Sequence, residues 1–250
     1  MKWIKYAELC RVMIAPLIML SVPNSLEPDT SVFLVKQDVE FPLGIFMFHE
    51  ALTASSSQKR QLSIRFIHTT RKVNNSSVVY HCQARDVSTD TILMESVHVL
   101  VQVSTKTRRA TSFSQQFRQF IEECSQDNNL PLQNVKPENL ASFVPKNHQV
   151  FLTTVQVSVT YIDHNGHTNN TSYMKFAYQC LDRALSQNFP LKLSKSLSES
   201  RIRKSSIRFL NESNVGDCIK IFMWQTEDDH LHFICRRKES DLAYLTLVYY

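Results

Sequence analysis

The sequence predicts an α+β fold made of two similar units in tandem, and two observations support this prediction. First, apolar and polar residues alternate with a period of two through most of residues 31–104 and again after residue 150, as expected for strands with one buried face. Second, a helix followed by four strands is predicted once in each part of the chain. The tripeptide Met1-Lys2-Trp3 recurs in similar form 173 residues later as Met174-Lys175-Phe176, again before a set of strands.

The first unit is predicted to span residues 1–124 and to begin directly with a helix that packs on the core. The apolar run from Val12 to Val22 gives a signal or anchor segment as the alternative, but it is too short to span a bilayer and Pro16 interrupts it. We therefore expect no stable membrane span. Four strands, a second helix and a linker are predicted next, at Val32–Phe41, Leu62–Val73, Val78–Val87, Ile92–Ser104, Phe113–Cys124 and 125–147.

The second unit is predicted to span residues 148–250 and to open with a strand, Val150–Tyr161, that the first unit lacks. Its helix carries an apolar stripe from Tyr173 to Leu185, and Pro190 ends it because proline cannot continue a helix. The missing strand makes the first unit either a degenerate scaffold or part of a shortened form of a longer protein. Four strands are predicted after the helix, at Arg201–Leu210, Asp217–Thr226, His230–Arg237 and Leu242–Tyr250.

The scarcity of glycine excludes several classes of enzyme. The chain has only three glycines, Gly44, Gly166 and Gly216, whereas average usage is about 7%. A Walker phosphate loop, a G-x-G-x-x-G dinucleotide turn and a G-x-S-x-G nucleophile elbow each need two or more glycines within a few residues. P-loop NTPases, Rossmann dehydrogenases and serine hydrolases of the α/β-hydrolase class are therefore poor interpretations.

The charge balance suits an anionic partner only weakly. The formal net charge is +5, and the basic residues occur in short groups. We interpret these groups as solvated strand ends, with contacts to a phosphate-bearing ligand such as a coenzyme as the alternative. We expect no nucleic-acid partner because no predicted helix carries a basic stripe. The groups are Lys106/Arg108/Arg109, Arg201/Arg203/Lys204 and Arg236/Arg237/Lys238.

Polar residues are concentrated between the opening strand and the helix of the second unit. Asp163 and His167 lie there, ahead of Asn169 at the expected start of the helix. A carboxylate can act as a general base or a nucleophile, and the free N–H groups of a first helical turn can stabilise an oxyanion. The alternative is a tight turn with Gly166 at positive φ and Asn169 as the helix cap.

The cysteines and histidines predict no bound metal. No C-x-x-C pair occurs, and His164 and His167 lie too close to Asp163 to complete a tetrahedral zinc site without a distant ligand. We expect no cofactor and interpret the cysteines as buried free thiols, which favours the cytoplasm or an organelle matrix over secretion. They are Cys10, Cys82, Cys124, Cys180, Cys218 and Cys235.

The stretch T-Y-I-D-H-N-G-H-T-N-N-T-S-Y, residues 160–173, resembles the D-x-N-x-H-x-N-N-x-x-Y pattern of hot-dog-fold acyl thioesterases. The similarity is to the 4-hydroxybenzoyl-CoA thioesterase-like and plant acyl-ACP thioesterase branches. It covers residues 150–250, and the first unit matches in element order only. The resemblance implies two tandem hot-dog domains, each a long helix wrapped by a curved antiparallel sheet.

The resemblance also implies an activity, the hydrolysis of an acyl thioester of CoA or acyl-carrier protein. Asp163 would be the catalytic carboxylate, and Asn165 and His167 would work with it. The substrate would lie between two hot-dog units, so the chain resembles an internal dimer that could associate further with copies of itself. The candidate substrate contacts at the turn and helix start are Gly166, Asn169, Asn170 and Tyr173.

Three other functions stay open. The incomplete first unit favours a non-catalytic acyl-thioester binder or scaffold, and hot-dog folds also host enoyl-thioester hydratases. A secreted interaction protein is the third. The acyl-ACP branch uses a further acidic residue on a later strand, which we leave unassigned although Glu212 lies nearby in the sequence.

Overall fold

The computed structural model describes residues 29–42, 63–123, 144, 146–163, 166–192, 202–226 and 230–249. The predicted helix at the start of the first unit, Gly44, Asn165 and nearly all of the predicted linker lie outside these residues.

The described strands form one antiparallel sheet of nine strands, which agrees with the predicted α+β class. Its order is β2-β3-β4-β1-β6-β9-β8-β7-β5. The strand bounds are β1 Thr30–Glu40, β2 Ile64–Val73, β3 Ser77–Asp86, β4 Ile92–Ser104, β5 Phe151–Gln156, β6 Ile202–Phe209, β7 Cys218–Gln225, β8 His230–Arg237 and β9 Ser240–Tyr249.

The sheet consists of two similar sets of strands, one from each half of the chain. Leaving β5 aside, the orders β2-β3-β4-β1 and β7-β8-β9-β6 are the same. The two sets join where β1 pairs with β6, with Lys36 opposite Arg208 and Glu40 opposite Lys204. Strand β5 pairs with β7 at one edge, and in the described residues nothing takes the corresponding place beside β2. This order is consistent with a first half that lacks its opening strand.

The opening strand of the second half is shorter than predicted. We expected a strand over Val150–Tyr161, but β5 ends at Gln156 and a 3₁₀ turn covers Val159–Tyr161. The alternation of apolar residues continues to Tyr161 although the partner strand does not, because β5 pairs with β7 only as far as Cys218. Val159 is consequently 74% exposed.

Helix α1 spans Gln115–Glu123 and helix α2 spans Asn170–Ser186. The apolar stripe of α2 packs on the sheet as predicted, except that Leu185 is 37% exposed. At its end the chain turns back, since the N–H of Phe189 donates to the carbonyl of Ala184 at 2.8 Å and Asn188 adopts φ +55°. The helix thus ends at Ser186, and the predicted stop signal, Pro190, lies four residues further on, directly after this turn.

The core is continuous across the two halves. One cluster joins α2 to the second set of strands and extends to Val39, Cys82 and Met94 of the first set. Helix α1 packs on a separate, smaller cluster that includes Tyr80 and Leu100. In the described part of the chain, no helix is long and apolar enough to cross a membrane.

The described cysteines are all free thiols, and three of them are buried as predicted. Cys218 is the exception, because it is exposed at the start of β7. The prediction that it is buried was wrong, since the first position of a strand at the mouth of a turn has no covering layer.

Candidate active site

The predicted catalytic stretch forms a tight turn between the 3₁₀ turn and α2. The N–H of Asp163 donates to the carbonyl of His167 at 2.9 Å, and the N–H of Gly166 donates back to the carbonyl of Asp163 at 3.1 Å. Gly166 has φ +81°, which an L side chain rarely adopts. Next to this turn, Ile162 and Thr168 form an isolated antiparallel bridge. The turn therefore fixes the backbone on both sides of the candidate catalytic side chains.

Asn169 caps α2, as the sequence suggested. Its side-chain oxygen accepts the N–H of Thr171 at 3.1 Å, and its carbonyl accepts the N–H of Ser172 at 2.8 Å. The N–H of Asn170 has no hydrogen-bond partner among the described residues. It points from the positive end of a 17-residue helix, so it can donate to a developing oxyanion.

A buried hydroxyl network holds the turn against the loop between β6 and β7. Thr168 donates its N–H and its hydroxyl to the carbonyl of Ser213, at 2.8 and 3.0 Å. The Ser213 hydroxyl donates to the Thr168 hydroxyl oxygen at 2.7 Å and lies 3.0 Å from the hydroxyl of Tyr173. All three side chains are buried. The network therefore holds the turn in a fixed position against the loop between β6 and β7.

Tyr173 lies in the core, one turn into α2, and is 2% exposed. Its ring packs edge-on against Phe176 and Phe209. Burial raises the pKa of its hydroxyl to about 12, and the hydrogen bond to Ser213 opposes part of that rise. The side chain is therefore a neutral hydroxyl at physiological pH. Its predicted contact with substrate stays a prediction.

His167 contacts an acidic residue that the sequence analysis left unassigned. Its Nε2 lies 3.3 Å from Oε2 of Glu212, in the loop after β6. The other carboxylate oxygen of Glu212 pairs with the guanidinium of Arg108, which follows β4 in the first half. The Nδ1 atom of His167 is buried and has no hydrogen-bond partner in the described part of the chain. His167 thus presents Nε2 to a carboxylate that Arg108 also contacts.

The site therefore combines predicted and unpredicted residues. The structure places Asp163, Gly166, His167, Asn169 and Asn170 within one turn and the helix start, with Asp163 and His167 each partly exposed. Sequence reasoning left Glu212 unassigned and gave Arg108 and Ser213 no part in the site. The loop N-E-S-N-V-G-D does carry the same signal as the catalytic stretch, polar residues where a strand ends.

The loop that carries Glu212 and Ser213 is itself well anchored. The N–H of Asn214 and Nη1 of Arg237 both donate to Oδ2 of Asp217, at 2.8 and 2.6 Å. Burial alone would raise the pKa of the Asp217 carboxyl, but these two donors outweigh it and lower the pKa. The loop is held at its β7 end by an ionised carboxylate.

Most members of the three basic groups that the structure describes pair with carboxylates. Arg236 lies 2.5 Å from Asp241, and Arg203 lies 3.9 Å from Glu40. Lys106 pairs with Asp29 at 2.5 Å. This pairing favours solvated strand ends over a phosphate cradle. The described residues also contain no group of three or more His, Cys, Asp or Glu side chains arranged to hold a metal ion.

A groove of about 470 Å³ lies between the edge strand β5 and α2. Arg183 crosses it and donates to the carbonyl of Thr154 at 3.0 Å. The lining is mostly polar, so this groove does not suit an acyl chain. Its lining residues are Thr154, Val155, Gln156, Tyr161, Gln179, Asp182 and Arg183.

Comparison with known proteins adds evidence on the fold. No protein-family model matches the sequence, and comparison with curated proteins gives no match. Among solved structures, the chain is similar to an acyl-ACP thioesterase from Bacteroides thetaiotaomicron, with a TM-score of 0.59, 14% identity and coverage of 89% of this chain and 77% of that one. It is also similar to the 12:0-ACP thioesterase from Umbellularia californica, with a TM-score of 0.65, 12% identity and coverage of 89% and 76%.

These similarities extend over both halves of the chain. Together with the large antiparallel sheet, they show the tandem hot-dog fold that the motif resemblance implied. At this level of identity they show the fold alone, so activity has to be argued from the site.

Proposed function

We propose that the chain is an acyl thioesterase, which hydrolyses acyl-CoA or acyl-ACP to a free acid and a thiol. The observation that carries this proposal is the turn that leads from Asp163 to the start of α2, with His167 against Glu212 and an Asn170 N–H that has no partner among the described residues. A carboxylate, an imidazole and an oxyanion donor within one turn are the groups that acyl transfer to water requires.

Asp163 is proposed as the general base or nucleophile. As a base it takes a proton from water while the water oxygen attacks the thioester carbonyl carbon. The Asn170 N–H and the dipole of α2 stabilise the resulting oxyanion. The carbon–sulfur bond then breaks, and the departing thiolate takes up the proton that Asp163 accepted, which restores the carboxylate. Asn165 is proposed to orient the reacting water or carbonyl.

His167 is proposed to orient the reactants next to Asp163. Because a carboxylate can only accept hydrogen bonds, the nitrogen that faces Glu212 carries the hydrogen when the ring is neutral. Nδ1 is then the acceptor, and no described residue donates to it. Gly166 and Asn169 are proposed to contact the substrate through the backbone of the turn. Tyr173 is proposed to support the turn from the core through its hydroxyl contact with Ser213.

The two halves are proposed to act as an internal dimer, with hot-dog units at 1–124 and 148–250 joined by a linker at 125–147. The matching strand orders support this division. We propose that the chain uses no cofactor and works in the cytoplasm or an organelle matrix.

The experiment is thiol release from a panel of acyl-CoA and acyl-ACP substrates of different chain length, followed with a thiol-reactive dye. The proposal expects catalytic turnover with at least one member of the panel. Stabilisation against thermal unfolding by acyl-CoA without thiol release would instead select a binder or scaffold. Loss of the enoyl absorbance of crotonyl-CoA without thiol release would select a hydratase.

A further inference from the structure

We propose that Arg108, in the first half of the chain, is a positioning residue for His167 in the second half, acting through Glu212. The inference rests on the proposed function for its activity readout. It gives the first half a direct part in the site, although that half carries no D-x-N-x-H stretch of its own.

The sheet topology brings these residues together. Strands β4 and β6 both run antiparallel to β1 and lie on either side of it. Their carboxyl ends therefore lie at the same end of the sheet, next to the start of β1. The turn after β4 carries Arg108, and the loop after β6 carries Glu212. A contact between positions 104 residues apart in sequence follows from this arrangement.

Arg108 is held in place by its own backbone and by an aromatic ring. Its φ is +57°, and its N–H donates to the carbonyl of Ser104 at 2.9 Å. Its guanidinium lies over the ring of Phe33 at 4.9 Å from the centroid. An arginine that stacks on one side keeps a fixed direction for its N–H groups. The ring of Phe33 and the backbone of the turn therefore hold the guanidinium facing Glu212.

Glu212 uses a different oxygen for each partner. Oε1 pairs with Arg108, and Oε2 faces Nε2 of His167. The Glu212 side chain is 36% exposed, so without Arg108 its carboxylate can rotate toward solvent. Arg108 thus sets the direction in which Oε2 faces the imidazole and also offsets the charge of Glu212.

A surface ion pair of this exposure contributes little to folding stability. Stability alone therefore cannot separate a positioning role from an incidental contact. The same turn provides a matched control, because Lys106 pairs with Asp29 and not with Glu212.

The experiment compares R108A, R108K, E212Q, the double variant R108A/E212Q and the control K106A in thioester hydrolysis. For R108A we expect kcat to fall about tenfold with KM changed less than twofold, partial recovery in R108K, and parent-like rates in K106A. Interacting residues give non-additive effects, so R108A should cause no further loss in the E212Q background. Parent-like rates in R108A, or losses that multiply in the double variant, would overturn the proposal.

A second measurement does not depend on activity. The ring nitrogens of His167 are observed by long-range ¹H–¹⁵N NMR in the full chain, and R108A should shift them while K106A leaves them unchanged. Unchanged signals in R108A would overturn the proposal. If the parent releases no thiol, the proposed function fails, and these spectra still decide whether Arg108 sets the geometry of His167.

Discussion

The two halves of the sheet share a strand order but differ in what they bury. In the second half, the described residues bury four polar side chains, and three of them, Thr168, Ser172 and Ser213, lie at the candidate catalytic turn or its helix, while Ser205 lies on β6. In the first half, polar or charged side chains are buried on all four strands. They are Lys36, Thr70, His81, Ser96, His98 and Gln102.

This difference indicates separate roles. The second half has an apolar core that fixes α2, and α2 fixes the turn. The first half extends the sheet and carries Arg108 to the site, and the part of it that the structure describes buries more polar side chains. We therefore expect the second half to contribute more of the hydrophobic stabilisation of the fold.

The comparison is tested most strongly by truncating one core side chain in each half. Leu100 on β4 and Leu247 on β9 lie on corresponding strands of the two halves and are 8% and 0% exposed. Leu247→Ala should lower the free energy of unfolding by about 4–5 kcal/mol because its site is fully enclosed. Leu100→Ala should cost only about 2–3 kcal/mol because it lies in the smaller cluster. Urea unfolding measures both, and equal losses would remove the proposed contrast.

A second test uses pH. Burial lowers the pKa of His232 to about 4, and His230 and His148 lower it further in the same direction. As the pH falls, His232 is therefore protonated near pH 6.5 in the unfolded chain but only near pH 4 in the folded chain. Stability is fully present above pH 6.5 and falls as the pH drops through this window. After allowance for partial exposure, the loss is about 1–2 kcal/mol.

In the first half, the pKa of His81 is also lowered, so this histidine should destabilise the fold at low pH as well. Burial, and then Arg71, lower the pKa of His81, while Glu95 opposes them from 3.4 Å. His232→Phe should flatten the decline in melting temperature between pH 6.5 and 4, and His81→Phe should flatten it less. A decline that neither variant changes would contradict this assignment.

The smallest expected effect comes from the buried amide of Gln102. The side chain is 1% exposed, and neither amide atom has a hydrogen-bond partner in the described part of the chain. An unsatisfied buried polar group is costly, so Gln102→Met should raise the free energy of unfolding by about 1 kcal/mol. Lower stability in the same unfolding assay would show that the amide has a partner.

The strands and α2 could be predicted because their signals are local. Alternation marked eight strands to within about two residues, and Asn169 and Pro190 marked the ends of α2. Alternation failed after Gln156, where the residues still alternate but the partner strand ends. Pairing between strands is not visible in a local pattern.

The candidate site likewise has features that a local sequence pattern predicts and contacts that it does not. The turn, the helix cap and positive φ at Gly166 depend on neighbouring residues, so sequence reasoning could reach them. Glu212 and Arg108 meet His167 only because β4 and β6 flank β1. That arrangement depends on the order of the whole sheet, and no spacing in the sequence contains it.

The central claim is that the turn at the start of α2 hydrolyses thioesters, and Asp163→Asn tests it most directly. The control is Asp29→Asn, which removes a carboxylate that pairs with Lys106 in the first half. With the best acyl substrate of the panel, we predict that thiol release by Asp163→Asn is at least about 100-fold slower than that of the parent. Asp29→Asn should keep the parent rate, and both variants should melt like the parent. Parent-like hydrolysis by Asp163→Asn would contradict the account.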